Sequence, residues 1–461
     1  MSLNVTETII LPCETKSREF DAKLLLACFI AEKGLKVIVG AKKVIDGLAL
    51  SLPKGIYIGK SLTAKSATVL SMFRRLGYTV VAWDEEGLVW ATPELYQLTK
   101  LDSSALKELE GLFAWGEANA SAIRAHPGFS NIPIYLTGNP RTDLLRPKLR
   151  GLFAREVEQL NRRYGRFILI NTNFSRVNHY YANESHLLNQ LKGSEAENLI
   201  GNGLKIGLAR HKKQLFDHFV EAVPRLADRF PETNIIVRPH PYENHHAWHE
   251  AASHKQNVKI IYEGNVVPWL MAAEAVIHNS CTTGVESFLL DKMVFAYCPV
   301  KSDAFDHALP NGLSMQCTSL QQLVEKVADS LRETPPTNAI NQVQYHDLVK
   351  RHLASFESEF ASERIAQILQ ELCRKPRRQI SALSRMVGVG TACWRSFVKK
   401  RIERVIPNHR NNKNYLNHLF PMTSLEEVEN KVNQMSLLLD RFQRLHVNSI
   451  AENVFQIETK Y

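Results

Sequence analysis

Short apolar runs alternate with longer amphipathic stretches over most of the chain. Thr8–Leu11, Val37–Gly40, Gly55–Ile58, Thr79–Trp83, Leu112–Trp115 and Ile134–Thr137 have the length and β-branched content of buried strands. Between them, Arg18–Lys33 and Ala64–Leu76 repeat apolar residues at helical spacing. This alternation is the pattern of a parallel sheet covered by helices on both faces.

Lys148–Tyr164, rich in Arg and Glu, reads as a polar helical connector, after which the alternation starts again. Phe167–Asn171, Asn234–Arg238, Val258–Tyr262, Ala275–His278 and Met293–Tyr297 are predicted strands, with helices at Lys212–Arg229, Val266–Ala273 and Thr283–Leu290. From Leu320 to Cys373 the pattern is helical only. The fold class predicted is α/β: two Rossmann-like doubly wound domains, residues 1–147 and 148–373, facing a central crevice. Residues 374–461 form a basic helical extension.

Charge sharpens that boundary. The chain has 57 Lys and Arg against 47 Asp and Glu, a net +10. Twelve of those cations lie between Arg374 and Lys413 with a single acid, Glu403, so the segment carries +11 and the remainder −1. Trp394, Phe397, Val398, Ile402, Val405 and Ile406 are interleaved with the cations, which suits peripheral contact with an anionic membrane through 374–413. A helix packed on the second domain with a solvated basic face suits the same residues. No RRM, KH, zinc-finger or helix-turn-helix signature is present, so nucleic acid is not the expected partner.

A hydrophobic content of 44% with 23% charged residues excludes the collagen-like, coiled-coil and disordered classes. Seven scattered cysteines without zinc-finger spacing fit reduced thiols. The N-terminus lacks a secretory h-region, and no run of about 18 apolar residues occurs. These features predict a cytoplasmic protein, with the inner face of the cytoplasmic membrane as its peripheral location.

Three segments could carry chemistry. In Asn234-Ile-Ile-Val-Arg-Pro-His-Pro241 a strand runs into two prolines, leaving Arg238 and His240 at the strand's C-terminal edge, ready for a phosphate or for a plain surface turn. In Ala275-Val-Ile-His-Asn-Ser-Cys-Thr-Thr-Gly-Val-Glu286, Ser280, Thr282 and Thr283 stand at a helix start, an anion site with Glu286 near enough for ribose hydroxyls. Thr283-Gly-Val-Glu286 also fits a capping box, which needs no ligand. Asp84, Glu85 and Glu86 follow a strand directly; adjacent anions there raise at least one pKa toward acid–base use, or form a solvated acidic turn ending at Gly87.

Other patterns count for less. Gly55-Ile-Tyr-Ile-Gly-Lys-Ser61 has a P-loop ending, but its glycines are one residue too close. His240, His245, His246 and His249 match no zinc spacing. Thr137–Asp143 reads as a glycine turn whose place at the crevice lets Asn139 or Arg141 face a ligand.

Asp84-Glu-Glu-Gly87, Thr137-Gly-Asn-Pro140, Asn171-Thr-Asn173, Arg238-Pro-His-Pro241 and His278-Asn-Ser-Cys-Thr-Thr-Gly-Val-Glu286 together resemble bacterial surface carbohydrate biosynthesis proteins. That family is similar to GT-B glycosyltransferases and, more distantly, to capsule enzymes that transfer Kdo or related 2-keto sugar acids from CMP-linked donors. The resemblance covers residues 5 to 375 and implies a GT-B-like glycosyltransferase, metal-independent and without a cofactor. It implies a nucleotide-sugar donor, first a CMP-sugar, and a glycan or glycolipid acceptor of polysaccharide or lipopolysaccharide. His240 with Arg238 would meet the donor phosphate, Ser280, Thr282 and Thr283 would complete that site, and Glu286 would lie near the ribose. Asp84, Glu85 or Glu86 would be the catalytic carboxylate, as base or as nucleophile. Asn139, Arg141, Asn171 and Asn173 would face substrate. Two alternatives stand beside it: an enzyme resembling CDP-alcohol glycerophosphotransferases, with His126 as base, and a non-catalytic nucleotide-sugar-binding scaffold.

Overall fold

A computed structural model describes residues 7–180, 200–332, 342–357, 359–406 and 412–460. Parts of the predicted 320–373 helical stretch and of the basic segment, at 333–341, 358 and 407–411, lie outside the described residues.

The chain divides into two compact units. The first contains the residues up to Leu88, Tyr96–Leu152 and the chain from Val349 onward; the second contains Val89–Leu95 and Phe153–Leu348. Both are Rossmann-like and doubly wound, the composition of the GT-B class.

In the first unit the strands are β1 (Thr8–Cys13), β2 (Lys36–Ala41), β3 (Gly55–Gly59), β4 (Thr79–Ala82), β5 (Gly111–Ala114) and β6 (Ile134–Leu136). They run parallel in the order β2-β1-β3-β4-β5-β6, so the order reverses between β1 and β3. The second unit holds β7 (Phe167–Asn171), β8 (Asn234–Arg238), β9 (Val258–Ile260), β10 (Ala275–His278), β11 (Val294–Tyr297) and β12 (Met315–Cys317). Its order, β12-β11-β10-β7-β8-β9, reverses between β7 and β10. Central strands such as β7 are buried at every residue, which is why they read as continuous apolar runs. Their neighbours cover them with helices, chiefly Ile200–Arg229, whose Leu208, Leu215, Phe219 and Leu226 enter the second core.

The predicted boundaries need three corrections. The chain from Val349 onward, which the sequence reading assigned partly to the second domain, belongs to the first unit. The Ala361–Cys373 helix packs on the Asp21–Glu32 helix, and Asp143 caps it: its carboxylate accepts from Ala361 N at 2.9 Å, Ser362 N at 2.8 Å and Ser362 Oγ at 2.7 Å. The extension is also no separate domain. Phe420 and Phe455 pack on Phe20, and Phe442 on Phe29, inside the first core.

Finally, the extension is not wholly helical. It ends in a hairpin, β13 (Leu445–Ala451) and β14 (Val454–Thr459), with β14 antiparallel to β2. Asn453, at φ +59°, makes the left-handed turn between the two strands.

Candidate functional site

In doubly wound sheets ligands bind beyond the strand C-termini where the order reverses. In the second unit that point lies between β7 and β10, and polar residues knit the adjoining ends together. Asn173 Nδ2 donates to the Ser280 carbonyl at 3.0 Å, bridging the reversal. Glu243 joins the next pair of strand ends. Its Oε1 accepts from Thr172 Oγ1 and Phe174 N, each at 2.7 Å, and from His240 N at 3.3 Å, while Oε2 accepts from Trp248 Nε1 at 3.1 Å. Burial pushes this carboxyl up to about 7 against four donors that favour its charge.

Asn171 ends β7 buried, and its Nδ2 has no hydrogen-bond partner among the described residues. Lys212 is also buried, its Nζ 3.4 Å from Asn173 Oδ1. Burial, reinforced by the Arg176 cation, lowers the Lys212 amine to about 8. His211 Nε2 lies 2.9 Å from Asp306 Oδ1, and Asp306 also accepts from Ser302 N. His307 follows, its ring pushed down to about 3 by burial, with Nδ1 unpartnered among the described residues.

Lys212, His211, Asp306, His307 and Glu243 were not singled out from the sequence. For Lys212 a signal existed. It occupies the apolar stripe of its helix, four residues after Leu208 and three before Leu215, where a solvated lysine does not belong.

His240 Nδ1 accepts from Tyr242 N at 3.2 Å, so the ring proton sits on Nε2, the form able to donate to an anion. Arg238 is already engaged within the fold. Its terminal nitrogens donate to the carbonyls of Glu263 and Gly264 at 2.7 Å, and the guanidinium lies over Tyr262 and Trp269. The cation is spent on holding a loop.

Ser280 is likewise a structural hub. It adopts φ +47°, its N donates to Asn311 Oδ1, and its Oγ accepts from His307 N and Asn311 Nδ2 at 3.1 Å. The helix after it starts at Thr282 with Cys281 as N-cap and no side-chain cap bond, so the capping box at Thr283–Glu286 does not form. Thr283 Oγ1 turns to Cys281 Sγ, leaving Thr282 half-buried at the first helical position, while Glu286 is buried one turn in. Gly284 lies against the His278 ring; a Cβ there would stand 2.3 Å from its Cε1 and Nε2.

In the first unit the three carboxylates after β4 part company. Lys23 Nζ bonds Glu85 Oε1 at 2.7 Å, Glu19 Oε2 at 2.8 Å and the Pro12 carbonyl at 2.7 Å, all buried. Glu86 pairs with Lys100 and lies 3.7 Å from Arg18. Asp84 is buried in a box of Trp115, Tyr96 and Asn119. Its carbonyl accepts from Trp115 Nε1 at 2.7 Å, its Oδ1 accepts from Glu86 N at 3.1 Å, and its carboxyl bonds Tyr96. Burial pushes that carboxyl up to about 6.

Lys60, the P-loop-like lysine, follows strand β3 and pairs with Glu14 and Glu19. Asn139 caps the short Pro140–Asp143 helix, its Oδ1 accepting from Arg141 N at 3.0 Å, and Arg141 is buried beside it. Both follow β6, two strands from the carboxylates after β4 in sheet order. His126 Nδ1 accepts from Gly128 N at 3.0 Å, a turn bond that removes it as a base through that nitrogen.

No family profile matches the chain, and no curated protein matches it in sequence. Among solved structures it is similar to UDP-GlcNAc 2-epimerase of Methanocaldococcus jannaschii in complex with UDP-GlcNAc and UDP. That likeness has 13% identity and a TM-score of 0.49, over 80% of this chain and 100% of that one. The wall teichoic acid polymerase TagF soaked with CDPG aligns at 10% identity and TM-score 0.47, over 80% of this chain and 89% of that one. Anabaena Alr3699/HepE in complex with UDP and glucose aligns at 12% identity and TM-score 0.39, over 79% and 99%. The fold assignment itself rests on the two strand orders.

Proposed function

We propose that the protein is a GT-B-like glycosyltransferase of bacterial surface polysaccharide or lipopolysaccharide synthesis. Its donor is a nucleotide sugar, first a CMP-activated Kdo or another 2-keto sugar acid, and its acceptor a glycan or glycolipid. The reading includes a peripheral location on the inner face of the cytoplasmic membrane.

The observation that carries it is the set of anion-ready donors around the β7/β10 reversal. A buried Lys212 amine, the Asn171 Nδ2 that has no partner among the described residues and the Thr282 helix start lie at the strand ends there, and His240 follows the adjoining strand β8. Fixed donors of this kind stabilise the charge that develops on a departing nucleotide phosphate. In the first unit Asp84 is the carboxylate we assign to the acceptor, as base or nucleophile, because Glu85 is consumed by Lys23.

Calorimetry with CMP, CDP, UDP and GDP tests this reading. CMP binding that His240→Ala weakens by about tenfold supports the CMP-sugar donor. Preference for CDP moves the enzyme toward CDP-alcohol donors, and no binding of any nucleotide by folded protein overturns the nucleotide-sugar reading altogether.

A further inference from the structure

The Ala382–Val405 helix wears its polarity inside out. Toward the Ala64–Arg75 helix of the first unit it turns small and polar residues: Gly388 and Ala392 are buried there, with Ser384, Thr391 and Arg395 half-buried. The approach is close, since a Cβ on Gly388 would stand 2.9 Å from Arg75 Cβ.

The large apolar side chains face solvent instead. Leu383, Met386, Trp394 and Phe397 are 72%, 69%, 65% and 58% exposed. At about 100° per residue these four fall within a single sector of roughly 80°. The helix therefore packs chiefly by small residues, with Val398 and Ile402 half-buried toward its C-terminal end, and displays its largest apolar side chains, the reverse of what a helix stabilised only by its own core does.

Cations bracket the stripe. Arg374, Lys375, Arg377 and Arg378 precede it, and Lys399, Lys400 and Arg401 follow, with no acid before Glu403. Lys400 and Arg401 are exposed, and Arg401 lies 5.0 Å over the Phe397 ring. No helix among the described residues is long and apolar enough to cross a membrane. An apolar stripe flanked by cations on a non-spanning helix has the chemistry of an interfacial helix.

We propose that this helix docks the protein flat on an anionic lipid bilayer. Leu383, Met386, Trp394 and Phe397 enter the headgroup region, and exposed cations beside them, Lys400 and Arg401 first, meet lipid phosphates. A second copy of this chain is disfavoured as the occupant because it would bring a second basic segment against the first. The inference rests on the membrane part of the proposed function and not on its donor chemistry, so nucleotide calorimetry reports separately on the latter.

Truncation cannot test it, because residues after the helix supply strands and core to the first unit. The test is co-sedimentation of the full chain with phosphatidylcholine vesicles and with vesicles of equal parts phosphatidylcholine and phosphatidylglycerol. We expect pelleting with the anionic vesicles, weakened by salt, and a blue shift of tryptophan emission that Trp394→Phe abolishes. Trp394→Ser combined with Phe397→Ser should weaken binding by about tenfold or more. Thermal unfolding should stay unchanged, since both side chains are exposed. Lys400→Gln with Arg401→Gln should weaken binding and flatten its salt dependence. Absence of pelleting overturns the proposal, as does pelleting that the Trp394 and Phe397 changes leave intact. A concentration-dependent dimer abolished by those same changes would overturn it in favour of self-association.

Discussion

Lys23 Nζ and Glu85 Oε1 stand 2.7 Å apart, both nearly excluded from water, and this contact sorts three consecutive carboxylates. Glu85 is the buried counter-ion of Lys23. Glu86 turns to Lys100 and Arg18 at the half-exposed rim. Asp84 has no ion-pair partner among the described residues and keeps a carboxyl that burial raises. One chain position thus separates a structural anion from a titratable one.

Asp84→Asn should lower kcat by about 10²-fold or more. A base and a nucleophile both need the ionised form, so wild-type activity should rise as pH passes about 6, and the variant's profile should be flat there. Stability runs the other way. The folded pKa lies above the free value of 3.8, so the folded state holds this proton more tightly, and its contribution falls as pH rises from about 4 to about 6. Urea titrations at several pH values should show that slope reduced in Asp84→Asn.

Glu85→Gln should act on the fold instead. It leaves Lys23 buried with Glu19 as its remaining carboxylate, so the loss should be measurable but smaller than the ~3–5 kcal/mol of a buried charge left without any partner. Chemical denaturation measures the loss. An inactive Glu85→Gln of wild-type stability would mean that Glu85, not Asp84, serves the reaction.

Lys212→Met should weaken nucleotide binding by about tenfold at neutral pH, as expected for losing a charge-assisted contact. In the wild type, binding should decline as pH rises through about 8, where this amine loses its proton. The folded pKa lies below the free value of 10.5, so burying the charge destabilises the fold below pH 8 and the penalty is relieved between 8 and 10.5. The methionine variant should lack that rise in stability. Calorimetry across pH, paired with thermal melts, reads both effects.

Gly284→Ala should destabilise by about 1–3 kcal/mol, because its Cβ meets the His278 ring. His278→Ala removes the clashing atoms, so the double variant should be more stable than the sum of the single changes implies. A double-mutant cycle in urea measures the coupling. Strict additivity would show that the two residues do not press on each other.

Phe455→Ala should cost about 3–5 kcal/mol, since the ring is buried against Phe20. Hydrogen exchange should then show β2 and β14 opening together, which a detachable extension would not do.

Much of the architecture was legible along the chain. β7, β8 and β10 lie where their apolar runs placed them, because strands buried on both faces leave an uninterrupted hydrophobic signature. The C-terminal hairpin was missed. Its strands pair at a sheet edge, where half-exposed residues such as His446 and Gln456 dilute the signal.

At the site, sequence determined which residue types collect near strand ends: Asp84 after β4, His240 after β8, Ser280 after β10. It could not determine which polar groups are already spent. Arg238 is committed to two carbonyls, Ser280 to Asn311 and His307, and Glu85 to Lys23, through partners between 25 and 62 positions away in the chain. Hydrogen bonds and ion pairs are short-ranged in space and indifferent to distance along the chain. Local pattern therefore settles elements and their polarity, while only the tertiary structure decides which charges remain available for chemistry.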